Sequence, residues 1–254
     1  MVFGLTKLAV TPIRAEDSDR AEIVSQMLFG EAFEVIEEKE KWILVKTLFD
    51  NYEGWICRKQ FFEVNEKVAK EHAINDFPVA ASDCGFATDQ SGNKWFIPKG
   101  SFLPFLHQNR IKWNDQEWKF EGDISIGNPS KIRDYAMSYL STPYLWGGKS
   151  PLGIDCSGFC QTVFKMCGYK IPRDAYQQAE IGHDVSFIEM TELGDLAFFD
   201  NDEGRINHVA LILEPGKVIH ASGRVKIDKL DHQGIFCTDT NKYTHKLRLI
   251  KRIL

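Results

Sequence analysis

The 254-residue chain is 43% hydrophobic and 26% charged, an ordinary globular composition with room for one large domain or two to three small ones. A net charge of −5 argues against nucleic acid as the main partner, which would require a basic face. No window approaches the run of about 18 apolar residues that a membrane-crossing helix needs, which argues against a membrane partner.

The N-terminus, "MVFGLTKLAV", lacks the basic start, sustained apolar stretch and small-residue cleavage site of a signal peptide. The expected location is therefore cytoplasmic. The six cysteines, Cys57, Cys84, Cys156, Cys160, Cys167 and Cys237, are irregularly spaced and read as reduced thiols, not as a disulfide framework. Cys156 and Cys160 stand four apart, but no second Cys or His pair follows at zinc-site spacing, so no metal is expected. All except Cys156 read as buried small hydrophobes.

Residues 1 to about 125 carry short aromatic, β-rich runs such as "KWILVKTL", "NYEGWICRKQFF" and "NKWFIPKGSFLPFL", separated by turns rich in Asn, Asp and Gly. Strands this short suggest small barrels. Two units are expected, residues 1–65 and 66–126, with their tryptophans mostly in core packing. "IGNPS" then marks a boundary, since Asn-Pro opens a turn and Pro129 or Ser130 can start a helix. In "SKIRDYAMSYL", Ile132, Tyr135, Ala136, Tyr139 and Leu140 fall on one helical face. A Gly/Pro loop, "TPYLWGGKSPLGID", leads to Cys156 and a second helix, about 157–167. "GDLAFFD", "HVALILE", "KVIHAS" and "THKLRLIKRI" follow as strands. Residues 127–254 thus read as an α+β domain.

Cys156 stands where loop becomes helix. A helix N-terminus supplies unpaired N–H groups and partial positive charge, both of which favour thiolate. Such a nucleophile also needs a base and a group that orients the base. His208 starts the strand "HVALIL" and His220 ends "KVIH". Antiparallel strands joined by the "EPG" turn would set the two imidazoles side by side. His72, His107, His183, His232 and His245 have no motif around them and read as surface or structural.

In order, "YLWGGKSPLGIDCSGF", "RDAYQQ", "GDLAFF", "HVALIL" and "VIHASG" resemble the NlpC-type family of bacterial cell-wall peptidases, papain-like cysteine enzymes. The resemblance covers about residues 131–254. It implies Cys156 as nucleophile, His208 as general base and acid, and His220 as the orienting residue. It also implies an oxyanion held by N–H groups near the start of the Cys156 helix, joined by the Tyr144 hydroxyl. Two SH3-like barrels ahead of a papain-like domain resemble the architecture of γ-D-glutamyl-L-diamino-acid endopeptidases of the dipeptidyl-peptidase VI type. That subfamily acts on short murein peptides with a free N-terminal L-Ala, and its first barrel reads the substrate amine. The resemblance carries substrate-binding roles to Glu31, Tyr52, Tyr144, Trp146, Ser157 and Asp174. Asp174 also reads as a helix N-cap, and Arg173 as the partner of a nearby carboxylate. Ala175 departs from the family, where Ser is frequent.

The implied activity is cleavage of the γ-D-Glu–diamino acid bond of free murein tripeptides or tetrapeptides in wall-peptide recycling. The protein is expected to act as a monomer without cofactor. The competing readings are a papain-like amidase or acyltransferase on another substrate, a wall-peptide binding module with a degenerate catalytic domain, and a zinc hydrolase. Asp155, beside the nucleophile, is expected to turn away from it and hold the loop.

Overall fold

The computed structural model describes residues 1–74, 77–113 and 116–254, and the side chains at 72–74 and 113 lie outside the described set, His72 and Trp113 among them. In the first unit, alternating β-branched and aromatic runs pair into a seven-stranded antiparallel sheet from Val2–Thr6 to Phe61–Val64. Trp42–Thr47 shows the expected alternation, with Ile43, Val45 and Thr47 buried and Trp42, Leu44 and Lys46 half-buried. Ile13, Met27, Phe33, Ile43, Val45 and Ile56 form its core. A helix, Glu66–Ile74, then intervenes. Five more antiparallel strands, from Gly85–Asp89 to Gln116–Glu121, close around Ala87, Ile97, Ile111, Trp118 and Phe120.

Trp118 is the only tryptophan buried in a core among the described side chains. Trp95 is half-buried against that core, whereas Trp42 and Trp55 are half-buried and belong to no core cluster, which corrects the expectation of core packing for those two. The Lys39 ammonium lies 4.2 Å above the Trp55 ring, an arrangement available only at a surface aromatic.

The third unit opens with a helical turn at Pro129–Lys131 that runs into the helix Ile132–Met137. Next come the helix Cys156–Met166 and a short helix, Ala175–Gln178. Six strands complete it: Leu196–Asp200, Ile206–Glu214, Lys217–Ser222, Arg224–Asp231, Gly234–Cys237 and Lys242–Arg252. The last of these pairs with both Gly234–Cys237 and Leu196–Asp200, so the sheet closes into a six-stranded barrel. Two of the strands, Arg224–Asp231 and Gly234–Cys237, were absent from the sequence reading. "RVKIDKLD" concealed itself because its barrel-facing side carries the charged Lys226 and Asp228 ahead of Leu230.

Helix Cys156–Met166 is buried along its whole length. Phe159, Cys160, Val163 and Phe164 pack on Phe198, Val209, Leu211 and Ile219, the outer face of the barrel strands. The inner face, Ala197, Phe199, Ala210, Ile212, Val218 and Leu230, fills the barrel. With a two-residue period, His208 and His220 continue the inward-facing series and stand at one end of the barrel interior. The other cysteines divide: Cys160, Cys167 and Cys237 are buried as expected, whereas Cys57 is half-exposed and Cys84 exposed. Among the described residues, no helix is long and apolar enough to cross a membrane.

Candidate active site

Cys156 opens its helix because Asp155 caps it. Asp155 has extended backbone, and its Oδ1 accepts from the Gly158 N–H at 2.7 Å. Its Oδ2 accepts from the Gly147 N–H at 2.9 Å, closing the loop onto the helix. Arg173 donates to both carboxylate oxygens, at 3.0 and 2.6 Å. Asp155 therefore holds the loop, as expected, and Arg173 has its carboxylate partner. Gly147 has a φ of 74°, and a Cβ there would strike the Ile23 carbonyl of the first barrel. Close approach of that barrel thus demands glycine at this position.

The two imidazoles meet as expected. His208 Nε2 lies 2.8 Å from His220 Nδ1, and His220 Nε2 lies 3.1 Å from Asp228 Oδ2. Asp228 was not foreseen. It faces Val218 across the hairpin, diagonal to His220 on the same face, so it could be found only once the missing strand and its register were known. His245, read as surface or structural, stacks on His208 with ring centroids 4.0 Å apart and lines the cleft. Its signal was equally hidden, since strand Lys242–Arg252 reaches this end of the barrel only through closure.

One ring nitrogen from each of His208, His220 and His245 lies within 4.8 Å of the other two, a cluster that bears on the zinc-hydrolase alternative. The His208 and His245 planes are only 25° apart. Ring lone pairs lie in the ring plane, so near-parallel stacked rings do not aim at one ion, and joint coordination would require breaking the stack.

Burial governs the charges. It pushes the Cys156 thiol up to about 12, aided by the Asp155 carboxylate, while the Val209 N–H, Arg173 and the Ser157 N–H pull the other way. Burial holds His208 well below the usual imidazole range, and His245 and His220 add to the effect. Burial thus favours the uncharged form of each partner. Cys156 is 6% exposed, so desolvation opposes the thiolate that the helix N-terminus favours. His220 is also lowered by burial, against the raising influence of Asp228. Asp228 falls well below the carboxylate range despite burial, because His220, Thr238 and Lys226 donate to it.

A cleft of about 680 Å³ joins Cys156, Ser157 and His208 to Tyr52, Tyr144, Trp146 and Asp174. Burial pushes both Tyr144 and Tyr52 up to about 12, so each phenol stays a neutral donor. Trp146 is 60% exposed and anchors its indole N–H on Glu22 at 2.5 Å, so it lies at the surface of the cleft and not in a core. Ser157 Oγ accepts from Arg173 at 2.8 Å. Asp174 caps Ala175–Gln178, its N–H donating to Gln177 at 3.4 Å, and burial raises its carboxyl pKa.

Glu31 is the exception. It is 1% exposed and lies outside the cleft, with Oε1 accepting from Lys165 at 2.5 Å and Lys149 at 3.4 Å. The expected contact to substrate is corrected: Glu31 joins the first barrel to the Cys156 helix. That junction also includes Arg173 to Ser25 at 3.0 Å, Lys149 N–H to Gln26 at 2.9 Å and Gln161 to Asp50 at 2.8 Å.

Residues 141–243 match the NlpC/P60 family, and residues 13–61 match the bacterial dipeptidyl-peptidase Sh3 domain. The chain is 32% identical to dipeptidyl-peptidase 6 of Lysinibacillus sphaericus, over 86% of this chain and 88% of that protein. It is 31% identical to the γ-D-glutamyl-L-lysine dipeptidyl-peptidase of Bacillus subtilis, over 78% and 72%. The crystal structure of an NlpC/P60 family protein from Bacillus cereus superposes with a TM-score of 0.82 at 22% identity, over 99% of both chains. The chain belongs to the NlpC/P60 family of cysteine peptidases. Its SH3-like barrel and papain-like catalytic unit are the fold that the sequence motifs implied.

Proposed function

We propose that this protein is a cysteine peptidase that cuts the γ-D-Glu–diamino acid bond of murein peptides bearing a free N-terminal L-Ala. The observation that carries the reading is the single cleft joining Cys156 and His208 to Tyr52 and Asp174. Cys156 attacks the carbonyl as its proton passes to His208, and His208 returns that proton to the leaving amine. His220 orients His208. The helix N-terminus and the neutral Tyr144 hydroxyl hold the oxyanion, while the Gly158 N–H is already committed to Asp155.

Asp174 takes the substrate ammonium, with Tyr52 and Trp146 as wall and Ser157 alongside. Among the described residues no lysine or arginine forms an ion pair with Asp174, so its carboxylate is available to a substrate cation. Val24 and Tyr52 of the first barrel close one side of the cleft, which suits a short peptide with a free end. In this reading residues 127–254 form the catalytic unit behind barrels at 1–65 and 66–126. The setting is cytoplasmic recycling of wall peptides by a monomer. The relatives named for γ-D-glutamyl-L-lysine cleavage support the bond assignment.

The test is hydrolysis of L-Ala-γ-D-Glu-diaminopimelate, with and without N-acetylation of the alanine. Release of L-Ala-γ-D-Glu from the free amine only, lost in Cys156→Ala, is expected. Turnover by Cys156→Ala, or equal cleavage of the acetylated peptide, overturns the reading.

A further inference from the structure

Asp228 lies beyond the Cys156–His208–His220 set, and its four acceptor positions are all occupied. Oδ1 accepts from the Thr238 N–H at 2.9 Å and the Thr238 hydroxyl at 3.0 Å. Oδ2 stands 3.1 Å from His220 Nε2 and 3.0 Å from the Lys226 ammonium. The group is fully buried, at 0% side-chain exposure, beside a cation. A carboxylate with a backbone N–H and an ammonium among its partners is an acceptor only.

That one fact orders two histidines. A neutral imidazole has one N–H, and Asp228 can only accept, so the His220 proton must sit on Nε2. His220 Nδ1 is then a bare acceptor. Across the 2.8 Å contact, His208 must therefore donate from Nε2. The only nitrogen of His208 without a proton is then Nδ1, the one not turned toward His220. We propose that Asp228 is a positioning residue that fixes the tautomers of His220 and His208 so that Nδ1 of His208 is left bare to take the thiol proton. This rests on the reading of Cys156 and His208 as the reacting pair.

The step balances. The Cys156 S–H bond breaks as sulfur attacks the carbonyl, and its proton moves to His208 Nδ1. The imidazolium so formed keeps its Nε2–H on His220, whose own Nε2–H stays on Asp228. Without Asp228, His220 could carry its proton on Nδ1. His208 would then have to accept at Nε2, which places its proton on Nδ1 and blocks transfer from sulfur.

The test reads tautomers directly by two-dimensional nitrogen–proton NMR of 15N-histidine-labelled protein, assigned with His208→Gln and His220→Gln. Both rings of the unaltered protein are expected to carry the proton on Nε2. A proton on Nδ1 of either ring overturns the proposal, whatever the activity. Asp228→Ala is expected to show mixed tautomers at His220 and a kcat about 100-fold lower, with KM little changed. Wild-type kcat, or an unchanged single tautomer, in a folded Asp228→Ala variant also overturns it. If that variant does not fold, the tautomers of the unaltered protein decide the question. Failure of the peptidase reading would appear separately, as turnover by Cys156→Ala with the tautomers in place.

Discussion

Arg173 grips Asp155 through two charge-assisted bonds, Nη1 to Oδ1 at 3.0 Å and Nη2 to Oδ2 at 2.6 Å, immediately beside the nucleophile. Burial opposes the guanidinium charge, but the Asp155 carboxylate outweighs it and raises the Arg173 pKa. The same arginine reaches Ser25 of the first barrel at 3.0 Å. One side chain thus fixes the loop before Cys156 and ties it to the barrel. Arg173→Leu leaves a buried carboxylate unpaired and is expected to cost about 3–5 kcal/mol in urea denaturation. A loss under about 1 kcal/mol would show that the pair does not hold the loop.

Glu31 sits in the same junction with Lys165 and Lys149. Glu31→Gln strands two buried ammonium groups, so a stability loss of about 3 kcal/mol is expected. Because Glu31 lies outside the cleft, KM for the peptide should stay within about twofold. A large rise in KM at unchanged stability would restore the substrate contact that sequence suggested.

Cys156 should be a slow nucleophile toward small alkylating agents in the empty site. With its thiol pushed up to about 12, its reaction with iodoacetamide should rise with pH through the alkaline range, without a plateau near pH 5. Cys84 is exposed and Cys57 half-exposed, so the measurement belongs in a Cys57→Ser/Cys84→Ser background. A plateau at acidic pH would mean a preformed thiolate–imidazolium pair.

Asp174→Asn removes the carboxylate offered to the substrate ammonium while keeping a side chain that can cap the following helix. KM for the free-amine peptide should rise at least about tenfold, with stability changed by less than about 1 kcal/mol. Unaltered KM would place the amine elsewhere.

His245 makes an acid-stability prediction. Burial lowers it to about 4, against an ordinary value of 6.5. A lowered folded pKa means the unfolded chain binds the proton first. The contribution is therefore fully present above pH 6.5 and is lost as pH falls toward 4, by at most about 3 kcal/mol. His245→Phe keeps a ring beside His208 but cannot be protonated, so denaturation between pH 6.5 and 4 should become less pH-dependent. An unchanged acid limb would contradict this.

The reacting elements were legible in the sequence because their signals are local. Cys156 sits at a loop-to-helix switch, Asp155 holds the loop beside it, Asp174 caps a short helix, and His208 and His220 flank one tight hairpin. A period of two residues was enough to place both imidazoles on the same face. Only the tertiary structure decided three other matters. Barrel closure brings His245 onto His208 from a strand remote in sequence, and no local pattern encodes closure. The hairpin register sets Asp228 diagonal to His220, and the charged residue on that buried face had hidden the strand itself. Burial then overruled the helix dipole at Cys156 and withdrew Glu31 into an ion pair with Lys165, because desolvation depends on everything packed around a group and not on its neighbours in the chain.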